Sequence, residues 1–153
     1  MIDQISALMA ELGPALKLPE VYKNEMETRI TWTILREGPQ LIFVDLDLEE
    51  PGLLTFSTQV AQVPANPTRV LEALMIFNAQ FNQSGTARMA LDAAGGMLVY
   101  IYTLASERLS LEALENVVTQ FGARAEIWRD LIARLDHDPE DFDPSQQEFL
   151  IRA

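Results

Sequence analysis

The chain has 153 residues, 48% of them hydrophobic, and a mean hydropathy near zero, which suits one soluble domain with a real core and argues against two. Asp and Glu number 23 against 11 Lys and Arg, and the resulting formal charge of −12 repels phosphate backbones and anionic lipid, excluding nucleic acid as an expected partner. Cys is absent, which removes disulfides, thiolate metal sites and cysteine nucleophiles.

The longest apolar runs, such as residues 97–102, fall far below the roughly 20 residues of a membrane-spanning helix, so no membrane association is expected. The opening MIDQISALMAELG carries Asp3 and Glu11 and no base, unlike the basic start of a secretory signal, and cytoplasmic residence is the expectation. From Asp136 onward stand six acids and one base, so −7 remains on the rest of the chain. The body is therefore acidic too, and a basic or amphipathic partner would be drawn to it.

Ile2, Ile5, Leu8, Met9 and Leu12 have the spacing of a short amphipathic helix ending at Gly13-Pro14. After a loop through Pro19, three segments alternate as strands: 28–36 with Ile30, Trp32 and Ile34 on one face, 41–48 with Ile42, Val44, Leu46 and Leu48, and 53–60 with Leu54, Phe56 and Val60. Gly38-Pro39 supplies the first turn, and an antiparallel meander follows. Residues 67–84 read as one helix, opened by Asn66-Pro67 and closed by Ser84-Gly85. Val70, Leu74, Phe77 and Phe81 form its core stripe, while Leu71, Met75 and Ile76 extend the apolar surface around a flank. A helix lying on one sheet needs only one stripe, so the second surface predicts a second copy of the chain as its cover. Residues 87–92 and 97–104 then form a hairpin around Gly95-Gly96, its second strand apolar on both faces. Ser110 precedes a third helix that keeps its period from Leu111 to Leu135, with Gly122 expected as a bend. From Asp136 the pattern collapses into an acidic tail, punctuated by Pro139 and Pro144 and expected to be flexible. Phe142, Phe149, Leu150 and Ile151 interrupt its acids and suggest weak docking on an apolar groove of this copy or a neighbouring one.

Catalytic chemistry is scarcely represented. His137, the single histidine, lies between Asp136 and Asp138 in the tail, away from any pocket that could set it against a nucleophile. Asp45, Asp47 and Glu49 share one strand face and with Glu50 offer at most a weak cation site; a solvated sheet face is the expectation. Gly95-Gly96 lacks the lysine and the strand-to-helix setting of a phosphate loop. No enzyme activity, cofactor or metal is expected. Trp32 and Trp128 fall on apolar faces and are expected in the core, and Tyr100 and Tyr102 share a strand face with Leu98 and Leu104.

The sequence of elements, an α+β order of helix, three-stranded meander, helix, β-hairpin and helix, resembles over residues 2–135 the class I type III secretion chaperones, the Tir-chaperone family. The resemblance is carried by ISALMAELG, by VLEALMIFNAQF running into a glycine and a strand, and by ARMALDAAGGMLVYIYTLASERLSLEALENVV with the closing EIWRDLIARL. The same pattern is similar to YbjN-like domains, which makes a regulatory or scaffolding domain with a folded partner the alternative reading. Residues 1–135 would then be a single chaperone-like domain and 136–153 an appended tail. The resemblance implies a non-enzymatic homodimer that holds an extended N-terminal segment of a secreted effector and keeps it export-competent. It places the dimer contact on the helix 67–84, through Leu71, Met75, Ile76 and Asn78. The effector would lie on the first helix and first two strands, at Ile5, Leu8, Met9, Leu12, Trp32, Ile34 and Val44.

Overall fold

A computed structural model describes residues 1–36, 38, 40–80, 86–92 and 95–137. It has the expected α+β class: helix α1 (Ile2–Ala15), strands β1 (Glu20–Glu25), β2 (Arg29–Leu35), β3 (Leu41–Asp47) and β4 (Leu53–Gln62), helix α2 (Thr68–Ala79), strands β5 (Arg88–Asp92) and β6 (Met97–Ala105), and helix α3 (Leu111–His137). The strands form one sheet in the order β1-β2-β3-β4-β6-β5. By contacts the chain divides into two compact units, Met1–Thr58 with Tyr102–Gly122, and Gln59–Ile101 with the residues from Ala123 onward.

In the first unit, β1, β2, β3 and β4 pair antiparallel in succession. Strict alternation buries Ile30, Trp32 and Ile34 on β2, Ile42, Val44 and Leu46 on β3, and Leu54 and Phe56 on β4, each at 2% exposure or less. Helix α1 contributes Ile5, Met9 and Leu12 to this core, and the first part of α3 contributes Leu114, Val118 and Phe121. Phe121 meets Phe56 with ring centroids 6.3 Å apart. The Ser110 hydroxyl accepts a hydrogen bond from the Ala113 N–H at 3.1 Å, capping α3 as expected.

The structure revises the expected boundaries in four places. β1 is a strand where a loop was expected; EVYKNE has almost no apolar alternation because both its faces are exposed, apart from half-buried Val21. α1 continues past Gly13 and Pro14 to Ala15, because proline near a helix end loses only one hydrogen bond while keeping helical φ. α2 begins at Thr68, with Pro67 at its N-cap and no side-chain cap from Asn66, and it ends at Ala79. Gly122 is no bend: α3 is one helix of 27 residues, and a Cβ at 122 would lie 1.3 Å from the Arg36 guanidinium. The glycine admits Arg36 and lets Gln40 Nε2 donate to the Gly122 carbonyl at 3.4 Å.

In the second unit, β5 pairs antiparallel with β6, and α2 packs against β5. Val70, Ala73, Leu74 and Phe77 of α2 are buried with Met89, Leu98 and Tyr100 of the hairpin and with Ala125, Trp128, Ile132 and Leu135 of α3. Trp128 stands edge-on to Phe77 at 5.0 Å. Both tryptophans are core residues, as expected, and β6 lies inside the sheet, which accounts for a strand apolar on both faces. Phe81, the Ser84-Gly85 turn and the tail from Asp138 onward, with its proposed docking, lie outside the described residues.

Candidate binding site

The end of α1 is set by a short run of sequence. Leu18 precedes Pro19, which pushes it out of the helical region, so the helix must close before it. It closes with a left-handed residue, Lys17 at φ 52°, whose N–H donates to the Pro14 carbonyl at 3.2 Å while the Leu18 N–H donates to Gly13 at 2.9 Å. This crossed pair of hydrogen bonds is the ending for which helices normally use glycine, and a lysine there is strained. The chain then turns into β1, the outermost strand of the sheet, which among the described residues pairs on one side only.

Between α1 and β1 lies a groove of about 630 Å³. Met9 and Trp32 form its floor, Ala10, Gly13, Leu18 and Val21 its walls, and Lys17, Glu20 and Lys23 stand among its polar lining. The register of β1 on β2 puts Val21 opposite Ile34, Lys23 opposite Trp32 and Glu25 opposite Ile30, so these side chains share the face of β2 that is buried. Tyr22, opposite Thr33, points to the other face and is 52% exposed. A hydrogen bond to Glu20, followed by burial and the glutamate's charge, raises the Tyr22 phenol above its usual pKa of 10.0. Lys23 Nζ lies 3.0 Å from Glu25 in an exposed pair. No ion pair to Lys17 is formed among the described residues.

The expected contact residues differ in burial within the single chain. Ile5, Met9, Leu12, Trp32, Ile34 and Val44 are all buried, at 2% exposure or less, and Leu8 alone of that set is partly exposed. Regular apolar periodicity marks the face that the chain covers with itself, so it selected core rather than surface. Met9 and Trp32 remain relevant as the groove floor. Ala10, Lys17, Val21 and Lys23 also line the groove and were not among the expected contacts; Lys17 and Lys23 are the only lysines in the sequence, six residues apart.

On the second unit, Leu71 is 36% exposed, Met75 73% and Leu91 of β5 53%, whereas Ile76 is half-buried. Asn78 has a different occupation: its Nδ2 donates to the Met89 carbonyl at 2.9 Å and its Oδ1 accepts from the Met89 N–H at 2.8 Å, closing part of the free edge of β5. The acidic strand face is likewise engaged locally. Asp45 accepts from the Thr31 hydroxyl, and Asp47 Oδ1 accepts from the Glu49 N–H at 2.8 Å and the Glu50 N–H at 3.3 Å.

Among the described residues the site is thus a helix-flanked antiparallel sheet with an open edge at β1, a groove beside that edge and no cluster of three or more metal-ligating side chains. The model of the Tir chaperone protein (CesT) family matches residues 39–129, and the chain belongs to that family of type III secretion chaperones. The fold is similar to chains in three solved structures. The ExsC-ExsE complex matches at TM-score 0.70 and 20% identity over 85% of this chain and 94% of that one. The HopA1-SchA chaperone-effector complex matches at 0.67 and 13% identity, over 82% and 93%. The Yersinia pestis type III secretion chaperone SycH, in complex with a stable fragment of YscM2, matches at 0.59 and 20% identity, over 78% and 95%. No curated protein matches. No helix among the described residues is long and apolar enough to cross a membrane.

Proposed function

We propose that this protein is a non-enzymatic, homodimeric chaperone that takes an extended segment of a secreted effector into the α1–β1 groove and keeps it export-competent. The observation that carries the reading is the groove floored by Met9 and Trp32 beside the edge of β1, which is unpaired among the described residues, in a chain of the Tir chaperone family. An extended segment laid along that edge would exchange backbone hydrogen bonds with β1, and every second side chain would enter the groove. That division of labour suits a client held unfolded. Affinity comes from the backbone and from a few apolar anchors, so no folded client surface is required. The dimer would be closed by Leu71 and Met75 on α2, with Leu91 alongside, since these apolar side chains remain open in the single chain.

Ala10 is exposed and lines the groove, so Ala10→Tyr fills the site without touching the core. Affinity purification of the wild-type chain from its own cells, with partner identification, should recover a secreted protein whose N-terminal segment is protected from proteolysis. Ala10→Tyr should lose that partner while keeping the wild-type circular dichroism spectrum. Retention of the partner by Ala10→Tyr at wild-type affinity would place the binding surface elsewhere.

A further inference from the structure

The chain as a whole is acidic, and its net charge of −12 favours a basic client. The groove inverts that balance. The chain has only two lysines, and both line it. Among its lining residues the one carboxylate is that of Glu20, which the register of β1 turns, with Tyr22, toward the opposite face of the sheet. Lys17 adds a second, independent observation. It occupies the left-handed position of the helix ending at φ 52°, where glycine would be free of strain, yet a long cationic side chain is kept there, lining the groove and without an ion pair among the described residues.

Resting on the effector-binding reading of this groove, we propose that it selects an extended acidic-apolar segment, with an apolar side chain seated against half-buried Leu18 and Val21, above the buried Met9 and Trp32, and carboxylates bound by Lys17 and Lys23. Lys23 is held near the groove by Glu25 at 3.0 Å, an exposed pair that a client carboxylate can replace at little cost. Lys17 is the stronger determinant, because its ammonium has no such partner to surrender among the described residues. Recognition is short-ranged: at physiological salt the field of the acidic body is screened within about 8 Å, and the contacts inside the groove decide.

Two synthetic probes test this on the full chain: a peptide alternating Val or Leu with Asp or Glu, and its counterpart carrying Lys at each acidic position. Binding is read by fluorescence anisotropy, and occupancy of the groove by mass-spectrometric amine labelling of Lys17 and Lys23. The acidic probe should bind the tighter by about tenfold or more, the effect of one charge-assisted hydrogen bond, and should protect both lysines from labelling. Lys17→Gly should weaken the acidic probe by about tenfold while leaving the thermal midpoint unchanged or raised, since it relieves the strained position. The double variant Lys17→Glu, Lys23→Glu should reverse the order of the two probes. Equal or tighter binding of the basic probe, with both lysines protected, overturns the charge selectivity and leaves the groove as the client site. Binding of the acidic probe without protection, or no binding of either probe, overturns the groove assignment and the selectivity with it.

Discussion

Lys17 and Met75 are single side chains whose positions cost the isolated chain something, and each yields a measurable expectation. A non-glycine residue in the left-handed region carries roughly 1 kcal/mol of steric strain, so Lys17→Gly should stabilise the fold by about 0.5–1 kcal/mol in urea titration. A loss of stability on that change would mean that the lysine holds the helix end rather than lining a site. Met75 is 73% exposed in the single chain, so Met75→Glu should change the monomer's stability by no more than about 0.5 kcal/mol. At a dimer interface the same change buries an unpaired carboxylate at a cost of several kcal/mol, on the order of 3–5. Light scattering at micromolar concentration should therefore show a wild-type dimer and a Met75→Glu monomer that keeps the wild-type circular dichroism spectrum but melts lower, having lost the dimer's contribution to stability; a wild-type monomer would remove the dimer from the reading. Gly122 teaches the converse: its role lies in the side chain it admits, since a Cβ there meets the Arg36 guanidinium.

The two outer strands, β1 and β5, are managed differently. β5 is closed in part by the side chain of Asn78, which mimics a neighbouring strand by both donating to and accepting from Met89. Removing it in Asn78→Ala leaves one backbone donor and one acceptor to find water, and should cost about 1–2 kcal/mol, with faster hydrogen exchange at the Met89 amide as the local signature. Unchanged exchange at that amide would show the clasp to be dispensable. Among the described residues β1 has no such clasp along its free side and is instead polar and short, six residues with both ends acidic. Its exposure explains why it could not be read in advance: the signal used to find strands is a buried face, and this strand scarcely has one. The meander of β2, β3 and β4 was readable for the opposite reason, since its alternating residues all meet a core.

Within the second unit, the contact of Trp128 with Phe77 joins α3 to α2, and Trp128→Ala should cost roughly 3–5 kcal/mol of unfolding free energy by opening a large cavity, enough to threaten folding in a chain of this size. Chemical denaturation checks this; a cost below about 1 kcal/mol would mean that the site collapses around the gap. Much of the architecture was dictated locally. Periodicities of two and of 3.6 residues, the Ser110 cap and the apolar face of β6 determine element type without reference to distant parts of the chain, and they gave the α+β order and the surplus flank of α2. The binding surface was not local in that sense. Apolar spacing marks every residue that prefers to leave water, and only the packed structure decides which are covered: Ile5, Leu12, Ile34 and Val44 went to the core, and so did Met9 and Trp32, which underlie a groove walled by residues with no periodic signal. The pairing of β1 with β2, which brings Lys23 to the side of the strand that faces this groove, is set by the tight turn in which the Met26 N–H donates to the Arg29 carbonyl, and β1 carries no apolar alternation that would announce it.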